Sequence, residues 1–220
     1  MNKNILFVVT NSSGNENIKE TGVFLEEFAI AYLILSASGF KVDVASLKGG
    51  LAPVDENSMS CSNPVEWDNC IKILRDTKKL SDVELDKYCA LYFPGGHGPM
   101  FDLANSTEIK ELVEYFYNSN KVIAAICHGV SALINARDKF GNSILKNKKV
   151  TSFTNKEEKI TKLDEFLPFL LETKLKELEA DYIEQKPWSE HVEVDGKIIT
   201  GQNQNSTTLI AEKILEVLGC

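Results

Sequence analysis

Short apolar, β-branched runs recur at residues 5–9, 42–46, 90–93, 121–126, 150–153 and 197–200, and each reads as a strand. Between them, apolar positions at three- and four-residue spacing predict helices near 21–38, 67–77, 106–118, 128–137, 157–179 and 206–218. Strands alternating with helices of this length imply right-handed βαβ units, hence an α/β, doubly wound, flavodoxin-like fold: a mostly parallel sheet with helices on both faces. Two stretches break the rhythm. Residues 47–66 are rich in Gly, Pro, Ser and Asn, and residues 155–190 are highly charged, with an amphipathic helix around 167–178. No repeat, low-complexity tract or linker divides the chain, so residues 1–220 are expected to form one domain, with both excursions capping one face of the sheet.

Composition narrows the partners. With 43% hydrophobic and 25% charged residues, the 220-residue chain has enough apolar material for a single large core. Its 24 Lys+Arg against 32 Asp+Glu give a net charge of −8, and no block of basic residues interrupts that excess. A negative field gains nothing from nucleic acid or an anionic membrane, which leaves small molecules or proteins as partners. No run approaches the roughly 20 apolar residues that span a bilayer, and the apolar run after Met1-Asn2-Lys3-Asn4 is too short for a signal sequence, so a cytoplasmic location is expected. The five cysteines, Cys61, Cys70, Cys89, Cys127 and Cys220, are dispersed, with no C-x-x-C pair and no histidine at metal-ligand spacing; free thiols and no metal are expected.

In open parallel sheets, ligands bind beyond the carboxyl ends of the strands. Three glycine-bearing junctions lie there: Pro94-Gly95-Gly96-His97-Gly98, Ala125-Ile126-Cys127-His128-Gly129 and Thr200-Gly201-Gln202-Asn203. The second runs a strand straight into Cys127 and a helix, the arrangement of a nucleophile elbow, in which a tight turn exposes the side chain. A helix N-terminus and the adjacent His128 are expected to lower the thiol pKa. The glycine loop at 95–98 lacks the Lys-Ser/Thr of a phosphate loop; it is either a plain turn or a place where backbone N–H groups reach an oxyanion formed at Cys127. In the first helix, Glu27 shares a face with Val23, Ile30, Ala31 and Ile34. Spacing leaves two readings for it, a buried neutral acid suited to proton transfer or a solvated residue complementing the helix dipole. Glu157-Glu158 likewise reads either as a solvated helix start or as a carboxylate that orients His128.

Taken together, residues 21–27, 93–102, 125–129 and 199–203 resemble the ThiJ/PfpI superfamily of the class I glutamine-amidotransferase-like fold. Residues 53–58 and 153–158 are similar to its branch of stress chaperones and glutathione-independent glyoxalases (glyoxalase III). The resemblance covers essentially the whole chain. It implies that Cys127 is the nucleophile, Glu27 the buried carboxylate on its sulfur, His128 the general acid/base and Glu158 the acid that orients it, although the adjacent Glu157 matches that role nearly as well. It also implies oxyanion donors in the backbone of Gly96 and His128, and a pocket edged by His97 and Trp188. The implied reaction converts methylglyoxal, a small reactive aldehyde, and water to D-lactate, without glutathione, metal or other cofactor. A homodimer is expected. Superfamily members also include chaperones, deglycases, peptidases and redox sensors, so two other readings stand beside this one: a redox-sensing holdase for unfolded clients, and an intracellular cysteine peptidase or amidase.

Overall fold

The structure, a computed structural model, describes residues 3–60 and 62–220; Cys61 lies outside the described residues. Its main sheet has seven strands: β1 (Asn4–Val9), β2 (Lys41–Ser46), β3 (Lys78–Lys79), β4 (Ala90–Phe93), β5 (Val122–Ile126), β8 (Val192–Asp195) and β9 (Ile198–Gly201). Their order is β3-β2-β1-β4-β5-β9-β8, parallel throughout except for β8, which runs antiparallel to β9. The central five strands have the doubly wound flavodoxin-like order, whose direction of winding reverses between β1 and β4.

Alternation along each strand builds the two layers. On β1, Leu6 and Val8 face one side and Ile5, Phe7 and Val9 the other, all fully buried. Helix α3 (Thr107–Asn118) covers the first side through Ile109, Leu112, Val113 and Phe116. The second side is covered by α1 (Leu25–Ala37), α2 (Trp67–Leu74) and α6 (Thr207–Leu218). Nearly every face of α1 is apolar, as suits a helix packed between the sheet and α6. Its first N–H, that of Leu25, is capped from outside by the Ser58 hydroxyl at 2.9 Å. Among the described residues, no helix is long and apolar enough to cross a membrane.

Four sequence expectations are corrected. Residues 150–153 do not join the main sheet: only β6 (Lys149–Val150) is a strand, paired with β7 (Asp181–Tyr182) in a separate ladder. The Thr151 N–H goes instead to the Thr200 hydroxyl, and Thr154 leaves the ladder to cap a helix. Residues 128–137 form a 3₁₀ segment over Cys127–Leu133, buried at every position, in place of an α-helix. The helix expected over 157–179 is two, α4 (Asn155–Thr161) and α5 (Leu171–Glu177). Lys162 ends α4 in the left-handed region (φ 61°), and Pro168 excludes helix just before it. Finally, the excursions do not cap one face. Ala52 and Val54 of the first pack with the α1 layer, whereas Leu171 and Leu175 of the second pack with the α3 layer. Both reach over the carboxyl ends of the strands. The edge strands β3 and β8 went unpredicted because one is a lysine pair and the other alternates with acids, chemistry that keeps sheet edges from pairing with other chains.

Phe28 is the hinge between sheet and α1: it is fully buried, with its ring 5.7 Å from both Phe7 and Tyr32. Phe28→Ala is expected to destabilise the fold by about 3–5 kcal/mol, read as a lowered urea midpoint with the denaturant slope unchanged.

Candidate active site

Cys127 ends β5 and opens the 3₁₀ segment with φ 55°, a conformation that costs a non-glycine residue energy and that the surrounding packing must hold. The loop after β4 presses against it. A Cβ on Gly95 would stand 2.8 Å from Glu27 Oε2 and 2.9 Å from the Cys127 Cβ, so only glycine fits between them. Gly96, at φ 87°, turns the chain so that its N–H, with that of His128, is directed at the cysteine sulfur. Burial pushes the Cys127 thiol well above its usual range, with the negative charge of Glu27 acting in the same direction; the two N–H groups oppose this. This corrects the expectation of a thiol lowered by helix and imidazole, because at full burial desolvation outweighs both.

Glu27 is completely buried, and of the two readings its spacing allowed, the structure has the inward one. Desolvation raises its carboxyl to about 8, against the opposing N–H of Gly95 and hydrogen bonding to Cys127. Oε2 accepts from Gly95 N–H at 2.7 Å. Oε1 has no hydrogen-bond partner, so the proton that Glu27 carries at neutral pH belongs on Oε1, the oxygen that does not accept from Gly95. A neutral Glu27 also removes the main charge that would repel a thiolate.

On the other side of the sulfur, His128 Nδ1 lies 3.3 Å from Sγ. Its Nε2 bonds to the Glu158 carboxylate. Desolvation lowers the His128 pKa, helped by His97 and opposed by Glu158, so the ring is neutral near pH 7. An Nε2–H donated to Glu158 leaves the Nδ1 lone pair facing the thiol, the tautomer that a base requires. Burial alone would raise Glu158, but His128 and His97 more than offset it and hold the carboxyl well below its usual range. His97 packs on His128 with ring centroids 4.1 Å apart and planes tilted by 38°, and places Nε2 3.3 Å from the other Glu158 oxygen.

The two adjacent glutamates have separate neighbours. Glu157 closes a capping box with Thr154, and its Oε1 accepts from Trp188 N–H (2.9 Å), Gln202 Nε2 (3.2 Å) and Asn203 Nδ2 (2.8 Å). It ties the second excursion to the end of β9 and makes no hydrogen bond to His128. Gln202 and Asn203, in the turn after β9, are its anchors. Trp188 packs edge-on against Phe153 at 5.6 Å, and Phe153 lies 4.7 Å from the His128 ring. These side chains, with Phe24 and Leu163, wall a pocket of about 450 Å³ whose floor is Cys127, His128 and Gly96 and whose polar rim includes Asp55 and Asn57. Sequence reading missed Phe24, Phe153, Asp55 and Asn57 as pocket residues; the strand end at Phe153 and the 47–66 excursion were the available signals. A hollow of about 490 Å³ at the opposite, amino ends of β5 and β9 is lined by Lys121, Lys148 and Lys197 and holds neither thiol nor imidazole.

Three converging donors, His97, His128 and Glu158, have atoms all within 4.8 Å of one another and are the described residues able to hold a metal ion.

An elbow cysteine at the carboxyl end of a doubly wound sheet narrows the field, and residues 18–217 match the DJ-1/PfpI family. The chain belongs to the DJ-1/PfpI family. It is 29% identical to Glyoxalase 3 of Candida albicans over 216 residues, 92% of each chain. The crystal structure of glyoxalase III from Candida albicans superposes with a TM-score of 0.88 at 26% identity, covering 97% of this chain and 96% of that one. The Rapid Encystment Protein 24 kDa of Francisella tularensis superposes with a TM-score of 0.92 at 39% identity, covering 99% and 100%. DJ-1/PfpI membership accounts for the order of the motifs along the chain; the chemistry still rests on the site.

Two outcomes follow. Glu27 has a folded pKa of about 8 against 4.5 for the free side chain, so the folded state holds a proton that the unfolded state releases between those values. The sign is fixed: Glu27 favours folding below pH 4.5, and that contribution is lost as pH rises through 8, at up to ~1.4 kcal/mol per pH unit. Urea midpoints measured across this range should fall more steeply for wild type than for Glu27→Gln. Glu157→Ala removes the acceptor shared by the Trp188 N–H and the side-chain amides of Gln202 and Asn203, leaving those amides only the carbonyls of Lys186 and Ser189, and should cost about 3 kcal/mol in the same assay.

Proposed function

We propose that this chain is a cofactor-independent enzyme of the glyoxalase III type, converting methylglyoxal and water to D-lactate through a covalent adduct on Cys127. The observation that carries the reading is the pair of proton carriers bracketing one sulfur: a neutral Glu27 acid on one side and a His128 base at 3.3 Å on the other. Glyoxalase names among the relatives support the same reading.

The steps follow from these positions. His128 Nδ1 accepts the thiol proton, and Sγ adds to the aldehyde carbon, whose oxygen becomes a hemithioacetal hydroxyl between the N–H groups of Gly96 and His128. A proton then moves from the former aldehyde carbon to the neighbouring carbonyl carbon through an enediol, with His128 and Glu27 as the two stations. That shift converts the hemithioacetal into a lactate thioester. Water displaces the thiol, and the sum is one methylglyoxal plus one water to one lactate, with Cys127 returned as thiol. Glu158 holds the His128 ring in the required tautomer. The pocket volume suits a small molecule. No Lys or Arg lines it among the described residues, which favours an uncharged substrate such as an α-oxoaldehyde over a phosphorylated or carboxylated one.

Purified protein, free of metal and glutathione, should release D-lactate from methylglyoxal. Cys127→Ser should abolish turnover, and Glu27→Gln and His128→Ala should each lower kcat/KM by about 10²–10⁴. Glu158→Gln should lower kcat more than it changes KM. If the wild type makes no D-lactate yet suppresses aggregation of an unfolded client, the holdase reading takes its place; cleavage of casein that stops with Cys127→Ser would instead mark a peptidase.

A further inference from the structure

His97 follows β4, His128 follows β5 and Glu158 lies on α4, so the chain brings three metal-ligating side chains together from three segments that share no motif spacing. Their donor atoms all fall within 4.8 Å of one another. Two imidazoles and one carboxylate are a ligand set suited to zinc, and three protein ligands with a free fourth position are the usual form of an accessible site. We propose that His97, His128 and Glu158 form a binding site for a divalent cation of the zinc class, and that a bound ion reversibly shuts off the adjacent thiol.

Several observations on the site favour an ion. Glu158 and His128 are nearly inaccessible, with side-chain exposures of 2% and 1%, and His97 retains 13% on the pocket side. The Glu158 carboxylate already bridges the two rings, with Oε1 on His128 Nε2 and Oε2 3.3 Å from His97 Nε2. In a tetrahedral site with metal–nitrogen bonds near 2.0–2.1 Å, neighbouring ligand atoms stand roughly 3.3 Å apart, which is the separation of His97 Nε2 from Glu158 Oε2, and all three donors fall within 4.8 Å. Thr161 Oγ1, 3.3 Å from Oε2, fixes the carboxylate from outside, and Phe153 packs against both imidazoles. His97, His128 and Thr161 all line the pocket, which provides the entry path and room for a water as fourth ligand. Cys127 is excluded from the set by the ring itself: Sγ faces Nδ1, whereas the shared carboxylate faces Nε2.

The effect on the thiol follows from counting the protons on one imidazole. An ion on His128 takes the Nε2 lone pair, so the ring proton moves from Nε2 to Nδ1, and the nitrogen facing Sγ becomes a donor with no lone pair to accept the thiol proton. This inhibitory half rests on the proposed glyoxalase reading; the binding half does not.

Zinc titrated calorimetrically into chelator-treated full-length protein should bind one ion per chain. His97→Ala should weaken binding by at least about tenfold, whereas His191→Ala, whose imidazole pairs with Glu193 elsewhere, and Cys127→Ser should leave it unchanged. Cobalt(II) on the wild type needs no variant: tetrahedral d–d bands without a thiolate-to-metal charge-transfer band are expected. In the lactate assay, zinc should inhibit wild type, EDTA should restore it, and the same zinc concentration should inhibit His97→Ala less. Absence of zinc binding, binding insensitive to His97→Ala, or a thiolate band would each overturn the site. Binding without any turnover would leave the site standing and sink the glyoxalase reading, while turnover without binding would do the reverse.

Discussion

The site depends on burying a carboxyl group, Glu27, against a cysteine sulfur with a single backbone N–H to satisfy it. An ionised glutamate in that position would have lost its water and gained only the Gly95 N–H and the Cys127 thiol in return, so the side chain keeps its proton near neutral pH. Everything around it serves that contact. The α1 layer supplies the apolar surroundings, and the turn at Gly95 leaves room for the two side chains to touch. The strained backbone of Cys127 aims the sulfur at the carboxyl and not at the core. Energy given up in backbone strain and desolvation is offset by the large apolar sheet and helices beneath.

The second excursion divides its work between neighbouring residues. One turn of α4 puts Glu157 inward, where it receives donors from three segments and fixes the Trp188 loop, and puts Glu158 against the paired imidazoles. The first is structural glue and the second sets the His128 tautomer. Consecutive helical positions point about 100° apart, which is why two identical side chains next to each other can serve such different ends.

The same geometry explains how a family with one fold can host different chemistry. Cys127, His128 and Glu27 sit at the carboxyl end of β5 and the start of α1, and the glycine loop beside them follows β4, all parts of the sheet and its first helix. The pocket walls come mainly from the two excursions, at Asp55, Asn57, Leu163 and Trp188. Changes in the excursions alter what reaches the sulfur without disturbing the strands that aim it.

How much of this was written in the sequence depends on the range of the interactions involved. Parallel strands buried on both faces announce themselves as continuous apolar runs, so the central sheet was legible to within a residue or two, and the tight turn at Cys127 was legible at the end of β5 because it is a local backbone event. Tertiary structure decided the rest. Whether Glu27 faced core or solvent turned on the packing of α1 against the sheet, and the thiol's elevated pKa on the depth of burial; neither has a signal in spacing. Which of Glu157 and Glu158 met His128 depended on the rotation of α4, set by the Thr154 cap and by donors about 45 residues away. The metal-ligating trio is the extreme case, since 61 residues separate His97 from Glu158 and only the convergence of strand ends brings them to 3.3 Å. Local sequence fixes periodicity and turns, whereas the environment of an ionisable side chain is set by atoms from segments distant in the chain.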